Sequence, residues 1–235
     1  MSERPPLVTL ITGSRKGIGR HLAEHYVRSG HVVIGVSRSP ADWSLSGYEH
    51  IAADVSDEAA VLRLFGHIRK KFGGLSHLIN NAGVASMNHT LTTPLQSVRK
   101  VFDTNVVGTF LFCREAAKLM KPSHFGRIVN LATVATPLKL EGEAVYAASK
   151  AAVVTLTHIM AKEFAPFGIT VNALGPTPTD TDLIRAVSEE KLKALLGKQA
   201  IPRMARLEDI SNAVDFFLKP ESEFITGQVL YLGGV

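Results

Sequence analysis

Tyr146 and Lys150 stand four residues apart in Tyr146-Ala147-Ala148-Ser149-Lys150, so on a helix they face the same way and can form one acid/base unit. A phenol with a free pKa of about 10 is a poor match to neutral pH, and a cation one turn away stabilises its conjugate base. The same spacing also occurs on helices as a packed ring beside a solvated ammonium. Company decides between these readings. Thr12-Gly13-Ser14-Arg15-Lys16-Gly17-Ile18-Gly19 follows the first apolar run, Asn80-Asn81-Ala82-Gly83 follows another, and Asn105 and Thr133 lie between them and the tyrosine.

The glycine segment suits a dinucleotide. Gly13 allows a tight turn, while Gly17 and Gly19 let backbone approach a pyrophosphate at the start of a helix, where free N–H groups and the helix dipole favour negative charge. A plain turn is the competing reading of a lone glycine triplet. The end of the second strand lies about 20 residues further on, where an acidic side chain would bind the ribose 2′-hydroxyl of NAD. Here the chain reads Val36-Ser37-Arg38-Ser39. A small hydroxyl and a cation, with Lys16 as a second cation, suit a 2′-phosphate, so the expected cofactor is NADPH/NADP.

Short apolar runs alternate with longer helical patterns along the chain. The runs are Leu7 to Ile11, Val32 to Val36, His50 to Ala53, Leu75 to Asn80, Gly126 to Leu131, Ile169 to Leu174 and Gln228 to Leu232. Such alternation predicts an α/β fold: one doubly wound, Rossmann-like domain over residues 1–235, with a seven-stranded parallel sheet flanked by helices and the ligand crevice at the strands' carboxyl ends. One interval is irregular. Only eleven residues, Ser39 to Glu49, separate the second and third strands, and Pro40, Trp43 and Gly47 break any long amphipathic pattern, which predicts a loop or a single turn.

Composition agrees with an ordinary globular protein: 235 residues, 46% hydrophobic and 20% charged, enough to bury a sizeable core. The net charge of +5 is spread along the chain and aromatic content is 7%, so nucleic-acid binding is not indicated. The single cysteine, Cys113, excludes an intrachain disulfide and reads as core filling, and the nine histidines show no paired ligand spacing, so no metal site is expected. Six residues precede the first apolar run and no stretch of about 18 uninterrupted apolar residues occurs, which predicts a cytoplasmic protein with neither signal peptide nor membrane span.

In their order along the chain, these elements resemble the classical short-chain dehydrogenase/reductase family, most closely its 3-oxoacyl-[acyl carrier protein] reductase-type members; the resemblance covers nearly the whole chain. It implies that Tyr146 is the acid/base, that Lys150 shifts the phenol's pKa and binds ribose, and that Asn105 holds a water-linked proton relay. Thr133 takes the place of the serine that orients the carbonyl, keeping its hydroxyl but with restricted χ1. Gly13, Ser14, Arg15, Lys16, Gly17, Ile18 and Gly19 would hold the pyrophosphate and Ser37 and Arg38 the ribose phosphate. Asp54, followed by Val55, would meet the adenine, with a helix N-cap as its alternative; Asn81, Ala82 and Gly83 would run past the ribose. Pro176-Thr177-Pro178-Thr179-Asp180-Thr181 matches the family's Pro-Gly-x-x-x-Thr segment except that Thr177 replaces glycine, and Pro176, Thr177, Thr179 and Thr181 would border the nicotinamide at the start of a lid over roughly residues 179–203.

The substrate class implied is a small-molecule carbonyl compound: a 3-oxoacyl thioester or related hydrophobic ketone. The pocket walls are expected from Ala85 to His89, Leu138 to Val145, and Leu183, Ile184 and Val187, with Lys139, Glu141 and Glu143 nearby. His124 and Phe167 occupy the positions that would dock a carrier protein, and neither is a permanent cation. Alternatives are an alcohol or dihydrodiol dehydrogenase working oxidatively, and a dinucleotide-binding regulatory protein. The resemblance also implies a homotetramer or homodimer, packed through the helix carrying Val153, Val154, Leu156 and Ile159.

Overall fold

A computed structural model of the chain describes residues 6–181, 184 and 188–235. Strands β1 (Val8–Thr12), β2 (Val32–Ser37), β3 (Tyr48–Ala52), β4 (His77–Asn80), β5 (Gly126–Leu131), β6 (Ile169–Gly175) and β7 (Val229–Tyr231) form one sheet in the order β3-β2-β1-β4-β5-β6-β7. Every pairing is parallel, as the apolar runs predict. The helices are α1 (Gly17–Arg28), α2 (Glu58–Phe72), α3 (Leu95–Phe102), α4 (Gly108–Met120), α5 (Ala135–Leu138), α6 (Ala144–Phe164), α7 (Glu189–Leu196) and α8 (Leu207–Leu218).

Successive strand residues point to opposite faces, and here both faces are covered. Leu10, Leu78 and Ile128 join one core with Phe65 of α2, Phe112 of α4 and Met160 of α6. Their neighbours Ile11, Ile79 and Val129 join the other with Leu22 and Tyr26 of α1 and Phe217 of α8. A parallel sheet buried on both sides needs near-continuous apolar strands, which is why the runs stand out in the sequence.

Local signals set the connections. Asp57 caps α2, its side chain accepting from Ala60 N at 3.2 Å, so the N-cap alternative for Asp54 falls to its neighbour three residues on. Gly73, in the left-handed conformation (φ 77°), ends the same helix by donating its N–H to Arg69 O at 3.0 Å. Residues 38–47 carry no helix, as expected for the short second crossover. Between α3 and α4 the backbone widens into a π-helical turn, Asp103–Val107, a form concentrated at functional sites.

His77 on β4 links the fold to pH. Its ring is buried, with Nδ1 3.3 Å from Thr9 Oγ1, and its Nε2 has no hydrogen-bond partner among the described residues. Burial, then the neighbouring His31 and Arg127, hold its pKa down to about 3. The folded chain therefore keeps His77 neutral while the unfolded chain protonates it below about pH 6.5. Stability present above that pH is lost as pH falls towards the folded value, at about 1.4 kcal/mol per unit. His31, also lowered by burial, acts in the same direction. We expect urea unfolding at pH 7 and pH 5 to show that His77→Leu loses roughly 2 kcal/mol less stability between them than the parent. Equal losses would mean that His77 accepts its proton inside the fold.

Candidate active site

β1 and β4 are neighbours in the sheet, yet the chain leaves them in opposite directions, to β2 and to β5. Such a switch point opens a crevice at the carboxyl ends of the strands. Thr12 closes its floor: Oγ1 accepts from Asn81 N at 3.0 Å and Ala82 N at 2.9 Å, and its carbonyl accepts from Asn81 Nδ2 at 3.0 Å. The chain then turns through Gly13 and Gly17, both in the left-handed region (φ 69° and 58°) that side chains with a Cβ resist. No acidic residue occupies the first turn of α1, leaving its N-terminal field positive.

A cleft of about 920 Å³ runs along this edge. Arg15, Lys16, Ser37, Arg38, Asp54 and Val55 line it near the ends of β2 and β3; Gly13, Gly17, Ile18, Asn81, Ala82 and Gly83 line its middle; Thr133, Tyr146, Lys150, Pro176, Thr177, Thr179 and Thr181 line the part beyond β5 and β6. Three of the expected residues stand behind the cleft instead. Ser14 is fully buried, turned under the loop to Tyr48 Oη at 2.9 Å. Gly19 lies within α1 where a Cβ would collide with the Gly13 carbonyl oxygen, so its smallness lets helix and turn pack closely. Asn105 is also fully buried, inside the π-helical turn.

Asp54 is held ionised by local bonds. Burial pushes its carboxyl up, but Ser56 N (2.9 Å) and Ser56 Oγ (2.7 Å) donate to it and Arg38 adds a positive charge, so its pKa ends below the usual value.

Beyond β5, α6 presents the phenol and the amine one turn apart. Burial pushes Tyr146 up to about 12, the negative charge of Glu143 adds to that, and a hydrogen bond with Thr133 works against it. Burial pulls Lys150 down to about 8, and its Nζ donates to Leu131 O at 2.6 Å. Asn105 secures this helix from behind. Its Nδ2 donates to Ser149 Oγ (3.0 Å) and Val84 O (2.9 Å) while its Oδ1 accepts from Val84 N (2.9 Å). A Cβ on Gly83 would sit 3.4 Å from Asn105 Oδ1 and 3.5 Å from Lys150 Nζ, so that glycine separates the two polar groups.

The segment after β6 is tied down by contacts far apart in sequence. The Thr177 hydroxyl donates to Gln199 Oε1, and Thr179 Oγ1 donates to Thr177 O at 3.0 Å. Thr181 reaches the glycine turn, its Cγ2 3.3 Å from where a Gly17 Cβ would be. Gln199 carries no local signal of this pairing. The expected walls are shorter than the sequence suggests. Ala85, Leu140, Glu143 and Ile184 line the cleft with Ser97 and Lys100, whereas His89, Leu138, Lys139, Glu141 and Val145 do not; Leu183 and Val187 lie outside the described residues.

A family profile described as "Enoyl-(Acyl carrier protein) reductase" matches residues 13–234. The chain belongs to the short-chain dehydrogenase/reductase family of oxidoreductases. It is 30% identical to the 3-oxoacyl-[acyl-carrier-protein] reductase FabG of Escherichia coli K12, over 97% of this chain and 96% of that one. The protein of the same name from Staphylococcus aureus Mu50 is 32% identical, over 96% of each. Among solved structures, the ligand-free aldohexose dehydrogenase AldT of Thermoplasma acidophilum superposes with a TM-score of 0.90 at 31% identity, covering 97% of this chain and 93% of that one. ElxO with NADP bound gives a TM-score of 0.89 at 28% identity, covering 97% of each chain. These names share a fold and differ in substrate, so the site has to carry the functional argument.

In this short-chain dehydrogenase/reductase the residues present fit a dinucleotide. A Cβ on Gly13 would lie 2.8 Å from Asn81 Nδ2, so the backbone alone forms the turn beside the helix N-terminus, and Arg15, Lys16 and Arg38 supply positive charge along the cleft. Close packing at Gly19 gives a direct test. Gly19→Ala should lose about 1–3 kcal/mol in chemical denaturation through overpacking against the turn. Gly66, inside α2 with no atom within 4 Å of a Cβ, is the control: Gly66→Ala should gain about 0.5–1 kcal/mol. A neutral Gly19→Ala would show that α1 can shift away from the turn without cost.

Proposed function

We propose that this chain is an NADPH-dependent reductase that converts a 3-oxoacyl thioester or related hydrophobic ketone to an alcohol, with Tyr146 as proton donor. The observation that carries the proposal is the joining of two chemistries in one cleft. The Ser37–Arg38 end of β2, without a carboxylate, and the Tyr146–Thr133 pair beyond β5 line the same space, and β1 and β4 separate their strands in the sheet. With strands about 4.8 Å apart, that is a span of about 14 Å, suited to an extended dinucleotide. Gly13, Arg15, Lys16, Gly17 and Ile18 would hold its pyrophosphate, Asn81 to Gly83 its ribose, and Thr179 and Thr181 its nicotinamide end.

When bound, the nicotinamide supplies a hydride to the carbonyl carbon. As the C=O electrons move onto oxygen, that oxygen takes the Tyr146 proton. With its pKa pushed up to about 12, Tyr146 is a protonated phenol at neutral pH, the form that reduction needs. Oxidation would begin from the phenolate, which burial and Glu143 disfavour in the cofactor-free chain, and the same groups would serve that direction in reverse. The Thr133 hydroxyl, which shares the cleft with the phenol, polarises the same carbonyl oxygen, and Lys150 stabilises the phenolate left behind. Asn105 positions Tyr146 through Ser149, whose Oγ donates to Tyr146 O at 2.7 Å.

The relatives named as 3-oxoacyl reductases support the substrate class, as do the apolar walls from Met87, Leu140, Ile184 and Leu195. The relative with NADP bound supports the cofactor. We also propose a homotetramer or homodimer. Val153 is core at 1% exposure, but Ile159 of α6 and Phe110 of α4 remain 49% and 41% exposed, and Phe216 of α8 and Phe224 are exposed as well. Light scattering at micromolar concentration should give a dimer or tetramer, and a monomer would remove this part of the proposal.

Arg38→Ala should weaken NADPH binding by about ten- to 150-fold, the value of a charge-assisted hydrogen bond, with little change for NADH. Equal losses in a fluorescence titration would assign Arg38 to the fold instead. Tyr146→Phe should cut kcat by about 10² to 10⁴ while leaving NADPH affinity nearly intact. Thr133→Ser should retain turnover and Thr133→Val should lose it; a Val variant with the parent's kcat would exclude the hydroxyl from the chemistry. In the pH profile, reduction should decline through about pH 8 as Lys150 loses its charge, since a pKa held below the usual lysine value makes the ammonium available only below it. A flat profile to pH 10 would mean that the reaction does not need that charge.

A further inference from the structure

In place of a helix, the crossover from β2 to β3 brings together four hydrogen-bonded side chains beside the end of β2. Ser14 Oγ lies 2.9 Å from Tyr48 Oη, and Tyr48 Oη lies 2.7 Å from His50 Nδ1. On the other side of the imidazole, Nε2 lies 3.0 Å from Ser37 Oγ and 3.1 Å from the Ser39 carbonyl oxygen, to which Ser37 also donates at 2.7 Å. The direction of the chain follows from what each atom can do. A carbonyl oxygen only accepts, so Nε2 carries the hydrogen. Nδ1 of the neutral ring is then a bare acceptor, Tyr48 must donate to it, and Ser14 must donate to Tyr48.

Two further features show that this chain is built in. Gly35 lies in the middle of β2, where glycine weakens a strand, and a Cβ there would collide with Tyr48 Oη and Ser14 Oγ. Trp43, from the helix-free crossover, stacks on the Tyr48 ring at 4.2 Å and donates Nε1–H to Arg15 O at 3.1 Å. The crossover thus packs the phenol against the glycine turn.

We infer that His50 is a positioning residue that frees Ser37 to read the 2′-phosphate of the cofactor, an inference that rests on the NADPH reading above. Ser37 has one hydroxyl hydrogen, and Ser39 O holds it. To donate to a phosphate, Ser37 must release that carbonyl, and His50 Nε2–H, already within reach of it, takes over the bond. Without this second donor Ser37 keeps its hydrogen on Ser39 O and turns lone pairs towards a dianion. A cofactor with a 2′-hydroxyl makes no such demand, because its own O–H can donate to the Ser37 lone pair. His50 therefore acts on discrimination between the two cofactors, with little effect on binding common to both.

Two measurements test this. In the protein without cofactor, long-range ¹⁵N–¹H NMR of the His50 ring should show hydrogen on Nε2 and none on Nδ1, and Tyr48→Phe, which leaves Ser39 O in place, should keep it there. Hydrogen on Nδ1 in the parent overturns the chain, whatever the cofactor. In fluorescence titrations, His50→Phe should weaken NADPH binding about tenfold and NADH binding less than about twofold, while His50→Gln, whose amide N–H replaces Nε2–H, should stay within about twofold of the parent for both. In a Ser37→Ala background His50→Phe should cause no further loss. Equal losses for both cofactors, or an undiminished loss without Ser37, overturn the inference. A parent that prefers NADPH and keeps that preference in His50→Phe overturns this inference alone; a parent that binds both cofactors equally overturns it together with the NADPH reading.

Discussion

The bonds around Thr12 are the constraint on which the cleft depends. A parallel sheet leaves the backbone groups at its carboxyl edge without partners, and buried unpaired groups are costly. Thr12 satisfies three at once, accepting from the Asn81 and Ala82 N–H groups and from the Asn81 carboxamide. Asn81 Nδ2 also reaches Gly13 O at 3.2 Å, and Gly13 N–H donates to Val36 O at 2.7 Å. The ends of β1, β2 and β4 are thereby fixed against one another. The glycine turn, the start of α1 and the Asn81–Gly83 wall all take their positions from this knot.

A second polar network sets the register of α6 and so the place of its phenol. Asn80 Nδ2 donates to Asn130 Oδ1 at 2.8 Å, Asn130 Nδ2 donates to Thr157 Oγ1 at 2.9 Å, and Thr157 Oγ1 donates to Val153 O at 2.9 Å. Cys113 joins through Asn80 Nδ2 at 3.2 Å, its thiol pushed up to about 12 by burial. Apolar packing alone would let a helix slide by part of a turn, since ridges of similar side chains fit several grooves. Directional bonds at Thr157 and Ser149, eight residues apart, remove that freedom. Core and site are therefore continuous: the asparagines of β4 and β5 hold the helix from which Tyr146 and Lys150 project.

The strands were legible because burial on both faces requires near-continuous apolar runs, and β1, β2, β4, β5 and β6 keep an apolar centre despite single polar residues such as Asn130 and Asn172. The short crossover was legible from Pro40, Trp43 and Gly47. The inward turn of Ser14 was not, because it depends on Tyr48, 34 residues away, and on a glycine in a different strand. Asp54 and Asp57 look alike as caps, and only the position of Ala60 N separates them. The stripe on α6 was ambiguous for a similar reason: Val153 and Ile159 are both apolar, but one faces the core and the other solvent. Periodicity places a residue on a helix face without saying what covers that face. Gln199 pairs with Thr177 across 22 residues, a contact that no local pattern encodes. For Asn105 the residue was legible but its surroundings were not, since the π-helical turn that buries it has no simple sequence signature.

Burial acts with opposite signs on the two groups that α6 presents. Removing water favours the neutral form of each, raising the phenol and lowering the amine. Tyr146 consequently holds its proton firmly at rest, while Lys150 holds its own loosely, with Leu131 O as the acceptor that keeps the ammonium in place. A negative charge arising on a carbonyl oxygen reverses the balance, because the alkoxide is a stronger base than the phenolate that replaces it. The proton therefore leaves Tyr146 when that charge appears, and the nearby ammonium is worth most at that moment because little water screens it. Desolvation, which viewed on the free protein opposes an ionised tyrosine, is thus the condition under which Lys150 and Thr133 act on the transition state more than on the ground state.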